Sequence, residues 1–284
     1  MKSFKKYLIP IALGLVVTLI MALTMLKVTM NFQILLFLGF GLFFMFGLLN
    51  SKSTINKLLN ALLISFSFLT LFIFLVLAQI PELYYFIPIY FIACLFGIYF
   101  RTCLKKVVLS GVLAIAFLAF LAIKVIPVDI ENSLTKIKSE PLPTFEILDL
   151  EGNLISSESL KEKVVVLDFF GTWCVPCIKE LKELDKVQKE FANVSDVEIY
   201  IINADIGGDT PEKFETFINK HDYNFNFVYD TESKLFKALN LQNSGLPVLL
   251  IIDKNNNIRF QHVGYNPAET NFKDHIVETI NSFR

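Results

Sequence analysis

Acidic residues are almost missing from the first 127 residues of this 284-residue chain, where Glu82 stands alone among ten Lys/Arg. No Asp, Glu, Arg or His falls in the middle of any long apolar run there, which excludes an evident proton or ion path through that half. The ten cations are not a nucleic-acid patch either, because they sit between apolar runs. Histidine is scarce, three in all, and cysteine numbers four. His221, His262 and His275 have no ligand spacing, and a zinc site needs two ligands beyond one Cys pair, so a metal-binding module is disfavoured. The three histidines are expected as surface or packing residues.

What the chain has in excess is hydrophobicity, unevenly spread. It is 54% hydrophobic with 29 Phe, and its mean hydropathy of +0.55 is too high for an ordinary soluble protein. From Val128 onward the balance reverses, with sixteen Lys/Arg against twenty-six Asp/Glu. A net charge of −1 therefore conceals a basic apolar half and an acidic polar half.

Five apolar runs, at about 7–26, 32–49, 58–80, 84–100 and 107–126, are long enough or nearly so to cross a ~30 Å hydrocarbon layer as helices. Short gaps imply a compact antiparallel bundle over residues 1–127. Lys2, Lys5 and Lys6 precede the first run, Lys52 and Lys57 lie between the second and third, and Arg101, Lys105 and Lys106 between the fourth and fifth. These alternate segments belong on the cytoplasmic side, while the opposite ones carry only Lys27 and Glu82. The expectation is a multi-pass protein of the cytoplasmic (inner) membrane, in contact with the lipid bilayer, with a cytoplasmic N-terminus and everything after Pro127 outside. Lys124 is expected to snorkel outward. The first run resembles a signal peptide, with Ala22-Leu23-Thr24 after its apolar core, but four further runs favour an uncleaved anchor. On one helix Cys94 and Cys103 would be about 13.5 Å apart and half a turn out of phase, too far for a disulfide. They are expected as small apolar residues, the alternative being a partner outside this bundle.

Residues 128–143 turn polar and end on Pro141 and Pro143, the pattern of a linker before a second domain at 144–284. A hairpin is expected around Glu151-Gly152-Asn153. The apolar run 164–170 has the composition of a central strand covered on both faces. Directly after it comes Trp173-Cys174-Val175-Pro176-Cys177, and then Ile178, Leu181, Leu184, Val187 and Phe191 at helical spacing. Lys179, Glu180, Lys182, Glu183, Asp185, Lys186 and Lys189 are assigned to the solvated face of that helix. Two thiols at this spacing can close and reopen a small ring. A thiol at a helix start gains from free N–H groups and the helix dipole, which favour thiolate. Asp168 interrupts the apolar strand. Buried, it would have a raised pKa and could carry a proton for the second cysteine; the bland alternative is a solvated strand-end Asp. Further strands are expected at 197–203, 224–229, 248–252 and 258–263. Helices are expected from Thr210-Pro211-Glu212 to about His221, at 233–239 and at 267–283.

This order of elements, with a cysteine pair at a strand-to-helix junction, resembles the thioredoxin superfamily, and within it the membrane-anchored TlpA/ResA-type thiol-disulfide oxidoreductases. The likeness rests on Leu142-Pro143-Thr144-Phe145, Asp149-Leu150-Glu151-Gly152, Phe170-Gly171-Thr172-Trp173-Cys174-Val175-Pro176-Cys177, Gly245-Leu246-Pro247, and the stretch from Ile252-Asp253 to Gly264. It covers the C-terminal half only. It implies an α/β thioredoxin-like domain with a central mixed sheet, and the apolar runs put a bundle of about five transmembrane helices before it. It implies Cys174 as the exposed nucleophile, Cys177 as the resolving thiol of a redox-active disulfide, and Pro247 as a cis-proline. Trp173, Pro176, Leu246 and Pro247 would contact the substrate, with the Leu246 backbone meeting an extended peptide. The chain departs from the pattern at Asp168, where many TlpA/ResA-type members carry Asn and thioredoxins carry Asp. It departs again at Asn203-Ala204-Asp205-Ile206-Gly207, which lacks the Glu that some members use there and offers Asp205 instead.

The resulting expectation is an enzyme that exchanges thiols and disulfides outside the membrane. Because Val175-Pro176 supplies no cation to stabilise a thiolate strongly, reduction of protein disulfides is favoured. Clients implied by the family include apocytochrome haem-binding cysteines. The partners expected are protein dithiol or disulfide substrates and a separate membrane electron donor, with no cofactor, metal or nucleic acid. The alternative is a membrane redox sensor or assembly factor whose thioredoxin fold binds a partner.

Overall fold

A computed structural model describes the backbone of residues 2–78, 80–100 and 104–284. Arg101 and Cys103, singled out above, lie outside the described residues. The chain divides into two compact units, Met1–Ser133 with Pro267–Glu269, and Leu134–Asn266 with Thr270–Arg284.

The first unit is helical: α1 (Lys2–Lys27), α2 (Phe32–Leu49), α3 (Lys57–Phe72), α4 (Phe86–Tyr99), α5 (Leu104–Phe120) and α6 (Ile126–Leu134). A π-helical turn, Ile73–Leu77, prolongs α3, and another, Leu121–Val125, joins α5 to α6. Among the described residues, five helical stretches are long and apolar enough to cross a membrane: Lys6–Lys27, Phe32–Leu49, Lys57–Leu77, Pro81–Tyr99 and Ser110–Leu134. Small residues let the backbones of helices approach closely. α2 and α4 use this device. A Cβ on Gly97 would meet the Phe44 carbonyl, one on Gly47 the Cys94 carbonyl, and one on Gly39 the Tyr90 ring. Tyr90, buried, donates its hydroxyl to the Leu35 carbonyl at 2.7 Å and stacks on Phe43. Cys94 is a buried free thiol in this packing.

The second unit is built on a six-stranded mixed sheet of order β1-β8-β7-β4-β5-β6. Its strands are β1 (Thr135–Pro141), β4 (Val164–Phe170), β5 (Val197–Asn203), β6 (Asn226–Tyr229), β7 (Val248–Ile252) and β8 (Asn257–Val263). β2 (Glu146–Leu148) and β3 (Leu154–Ser156) form the separate hairpin. β4, β5 and β6 run parallel, connected through α7 (Val175–Phe191) and α8 (Pro211–Lys220). β7 is antiparallel to β4, β8 to β7, and β1 to β8.

Alternation along β4 divides the core in two. Val164, Val166 and Phe170 meet α7, α8 and α10 (Phe272–Ser282), while Val165, Leu167 and Phe169 meet the hairpin segment and α9 (Lys234–Ala238). Every residue of β4 is buried, as its composition demands. Burying Leu181, Leu184 and Val187 of α7 stabilises the unit by roughly 1.5–3 kcal/mol each.

Two sequence expectations are corrected here. Residues 128–143 are not a free tether: they finish α6 and form β1, paired on β8. The strand escapes a hydrophobic pattern because it is an edge strand whose residues are all half-buried or exposed, Ile137 included. The last helix starts at Phe272 rather than at 267.

Candidate active site

The site begins where β4 ends. Cys174 N–H closes a turn onto the Gly171 carbonyl at 3.0 Å, and Cys174 itself is the N-cap of α7, with extended backbone. Its Sγ accepts from the Cys177 N–H at 3.3 Å, satisfying one of the helix's free donors. Pro176 lies in the first turn, where its missing N–H costs nothing. Cys174 and Cys177 form a disulfide, their Cα atoms 5.2 Å apart. Cys177 is fully buried and Cys174 is only 3% exposed. The expectation of an exposed Cys174 is thus corrected: in the disulfide its sulfur belongs to the core cluster, and the flanking Trp173 (52%) and Val175 (61%) present the open surface.

Asp168 is buried among apolar strands, with Ile201 of β5 and Leu249 of β7 opposite it in register. By strand alternation it shares the sheet face of Val166 and Phe170, the face on which α7 packs with both cysteines. Neither carboxylate oxygen has a hydrogen-bond partner, and burial pushes the group up to about 8. The solvated strand-end alternative does not apply.

Leu246 and Pro247 sit at the start of β7. Val248 is paired with Phe169, so Pro247 follows in register beside Phe170, four residues before Cys174. The Leu246–Pro247 peptide bond is cis. Leu246 is half-buried and packs against both core clusters, while the Pro247 carbonyl accepts from Gly264 N–H at 2.8 Å.

Three residues were missed or misplaced from sequence. Glu180 was assigned to the solvated face of α7, yet it is completely buried, with Oε1 4.0 Å from Nδ1 of the equally buried His262 on β8. A signal existed: Cys177, Glu180, Leu181 and Leu184 follow the helical stripe that packs on the sheet. Asp209, in the loop after β5, receives Thr172 N–H at 2.9 Å and Asn203 Nδ2 at 2.9 Å. The Asp205 carboxylate accepts the Tyr229 hydroxyl and the Glu232 N–H, each at 2.6 Å.

A disulfide that caps a helix, on a sheet of this order, can do one kind of chemistry without any further group: exchange with another thiol or disulfide. Fold and site together define a thioredoxin-like thiol-disulfide oxidoreductase. Residues 139–261 match the AhpC/TSA family. The chain is 32% identical over 127 residues to the thiol-disulfide oxidoreductase ResA of Bacillus thuringiensis (strain Al Hakam), a match covering 45% of this chain and 70% of that protein. Against ResA of Bacillus subtilis (strain 168) it is 33% identical over 111 residues, covering 39% of this chain and 59% of that one. StoA from Bacillus subtilis, a solved structure, aligns at a TM-score of 0.40 with 23% identity, over 47% of this chain and 96% of StoA. Through its C-terminal half the chain belongs to the ResA family of thiol-disulfide oxidoreductases.

Proposed function

We propose that the chain is a multi-pass membrane protein whose redox unit reduces protein disulfides on the extracytoplasmic side through Cys174 and Cys177. In this reading the Cys174 thiolate attacks one sulfur of a client disulfide. A mixed disulfide forms and the first client sulfur leaves as a thiolate. Cys177, deprotonated, then attacks Cys174 Sγ. The mixed disulfide breaks, the second client sulfur leaves, and the Cys174–Cys177 disulfide closes. Two electrons pass to the client, and the two protons given up by the cysteines end on its thiols. Asp168, on the cysteine-bearing face of the sheet and poised near neutrality by burial, holds and releases the proton of Cys177. Trp173, Pro176 and Leu246 line the surface against which the client chain lies, with Pro247, itself buried, next to Leu246.

The observation that carries this reading is the disulfide at the start of α7, with an unpartnered buried carboxyl on the adjoining strand. Val175 and Pro176 place no cation between the cysteines, which favours a reducing pair over an oxidising one. A reductant in an oxidising compartment must be recharged, and a separate membrane dithiol donor is proposed for that step. Apocytochrome haem-binding cysteines are one client class. The extracytoplasmic side is supported by the distribution of Lys and Arg among the segments between helices.

The test is a Cys177→Ser variant of the full chain in membranes. It should accumulate client proteins as mixed disulfides on Cys174 that are released by dithiothreitol, and a Cys174→Ser variant should trap none. Failure of the first variant to trap any protein would sink the exchange reading.

A further inference from the structure

The turn that delivers Cys174 to the head of α7 has two central residues, Thr172 and Trp173, and one loop grips both. Thr172 donates its N–H to Asp209 Oδ2 at 2.9 Å and its hydroxyl to Asp209 Oδ1. Trp173 donates Nε1 to the Ile206 carbonyl at 2.9 Å. The same carbonyl accepts Asp209 N–H at 3.3 Å, so both grips meet in the short turn 206–209.

That turn is itself anchored. Asn203, the last residue of β5, gives Nδ2 to Asp209 Oδ2 and takes Asp205 N–H on Oδ1 at 3.0 Å. Asp205 receives Tyr229 from the end of β6 and Glu232 N–H from the approach to α9. Ser233 Oγ adds a bond to the Asp205 carbonyl at 3.1 Å. Gly207 and Gly208 both have positive φ (+67° and +83°), and a Cβ on Gly207 would run into the Trp173 indole. The loop is shaped around that ring.

Asp209 is the hub. It is 7% exposed, and three donors surround its carboxylate, two of them from Thr172. A nearly buried carboxylate is tolerated only with such donors, and bonds to it are stronger than neutral ones.

We infer that Asp209 is a positioning residue for thiol exchange. It fixes the 171–174 turn and the Trp173 ring, and through them the place of Cys174 at the helix N-terminus. This rests on the Cys174/Cys177 exchange proposed above. While the disulfide is closed, Cys177 also restrains Cys174. Once it opens, the turn and the α7 N-cap carry that restraint. Attack on a client disulfide requires the three sulfurs nearly in line, so a loosened turn lowers the fraction of productive encounters. Asp209 acts through Thr172 and Trp173, not on sulfur.

The experiment uses the full chain in detergent, with Asp209→Ala, Asp209→Asn and Thr172→Val variants. Two quantities are read: the second-order rate at which the pre-reduced protein reduces insulin, and the emission anisotropy of Trp173, the single tryptophan of the chain. Asp209→Ala should slow reduction at least about tenfold and lower the anisotropy. Asp209→Asn should fall between it and wild type: a carbonyl oxygen in the Oδ2 position keeps both Thr172 N–H and Asn203 Nδ2, but the bonds lose their charge and the amide faces the Thr172 hydroxyl as a donor. Thr172→Val, which removes one hydroxyl donor, should move both readouts in the same direction and serves if Asp209→Ala does not fold. Wild-type values of both readouts in the variants would overturn the inference. So would a slowed rate with an unchanged anisotropy, because the loss would not run through the turn. If the wild-type chain reduces nothing, the proposed activity fails instead, and the anisotropy alone still decides whether Asp209 holds Trp173.

Discussion

Asp168 illustrates how one residue's chemistry is set by its neighbours. Its carboxyl lies between Ile201 and Leu249 with no donor to solvate the charge, and its pKa rises from the ordinary 3.8 to about 8. Between these values the folded chain holds a proton that the unfolded chain releases. The stabilisation from that proton is therefore complete below about pH 4 and is lost as pH rises through about 8, at up to about 1.4 kcal/mol per pH unit within the window. Asp168→Asn should flatten this part of the profile and make the redox unit more stable than wild type at the alkaline end. Denaturant midpoints followed by Trp173 emission at pH values across the window check this, and parallel profiles for the two proteins would contradict it. Glu180 and Asp209 mark the other side of the lesson. Both are acids beside other polar residues in sequence. Whether an acid is solvated or buried depends on which helix face or loop turns inward, and for Glu180 only its i+3 relation to Cys177 hinted at the answer.

At the scale of elements, α2 and α4 show why small residues matter where burial alone cannot bring helices together. Gly97 rests against the Phe44 carbonyl and Gly47 against that of Cys94. A Gly97→Leu chain should lose this contact, because the backbone atoms opposite cannot move aside as a flexible side chain would. The expected outcome is a clear fall in the unfolding temperature of the helical unit in detergent, with the Cys174–Cys177 exchange rate unchanged. An unaltered melting profile would show that the helices tolerate separation. β1 shows the opposite limit of sequence patterning. Its residues Thr135, Lys136 and Ile137 pair with His262, Gln261 and Phe260 of β8 through the backbone, and at the sheet's edge no hydrophobic alternation is needed.

At the scale of the whole molecule, two halves of opposite charge and unlike hydropathy share one chain. The proposed arrangement puts the basic segments between helices inside and the acidic redox unit outside. A phosphatase or fluorescent reporter fused after Arg284 should report the extracytoplasmic side. A cytoplasmic signal would overturn the compartment and, with it, the need for a membrane donor.

Sequence by itself determined the two-part organisation, the five apolar helices, the strand-to-helix junction at Cys174 and the family likeness of the C-terminal half. Each is written in a local pattern: long apolar runs, a buried strand beside a helical stripe, two cysteines at fixed spacing. Tertiary structure alone decided that residues 128–143 join the fold, that Cys174 is nearly covered in the disulfide, that Glu180 lies inside, and that Asp209 holds the turn before the cysteines. These facts depend on residues far apart in the chain meeting across the sheet, such as Thr172 and Asp209 or Glu180 and His262. The desolvation and hydrogen bonding that give such groups their roles arise only when the strands and helices that carry them pack together.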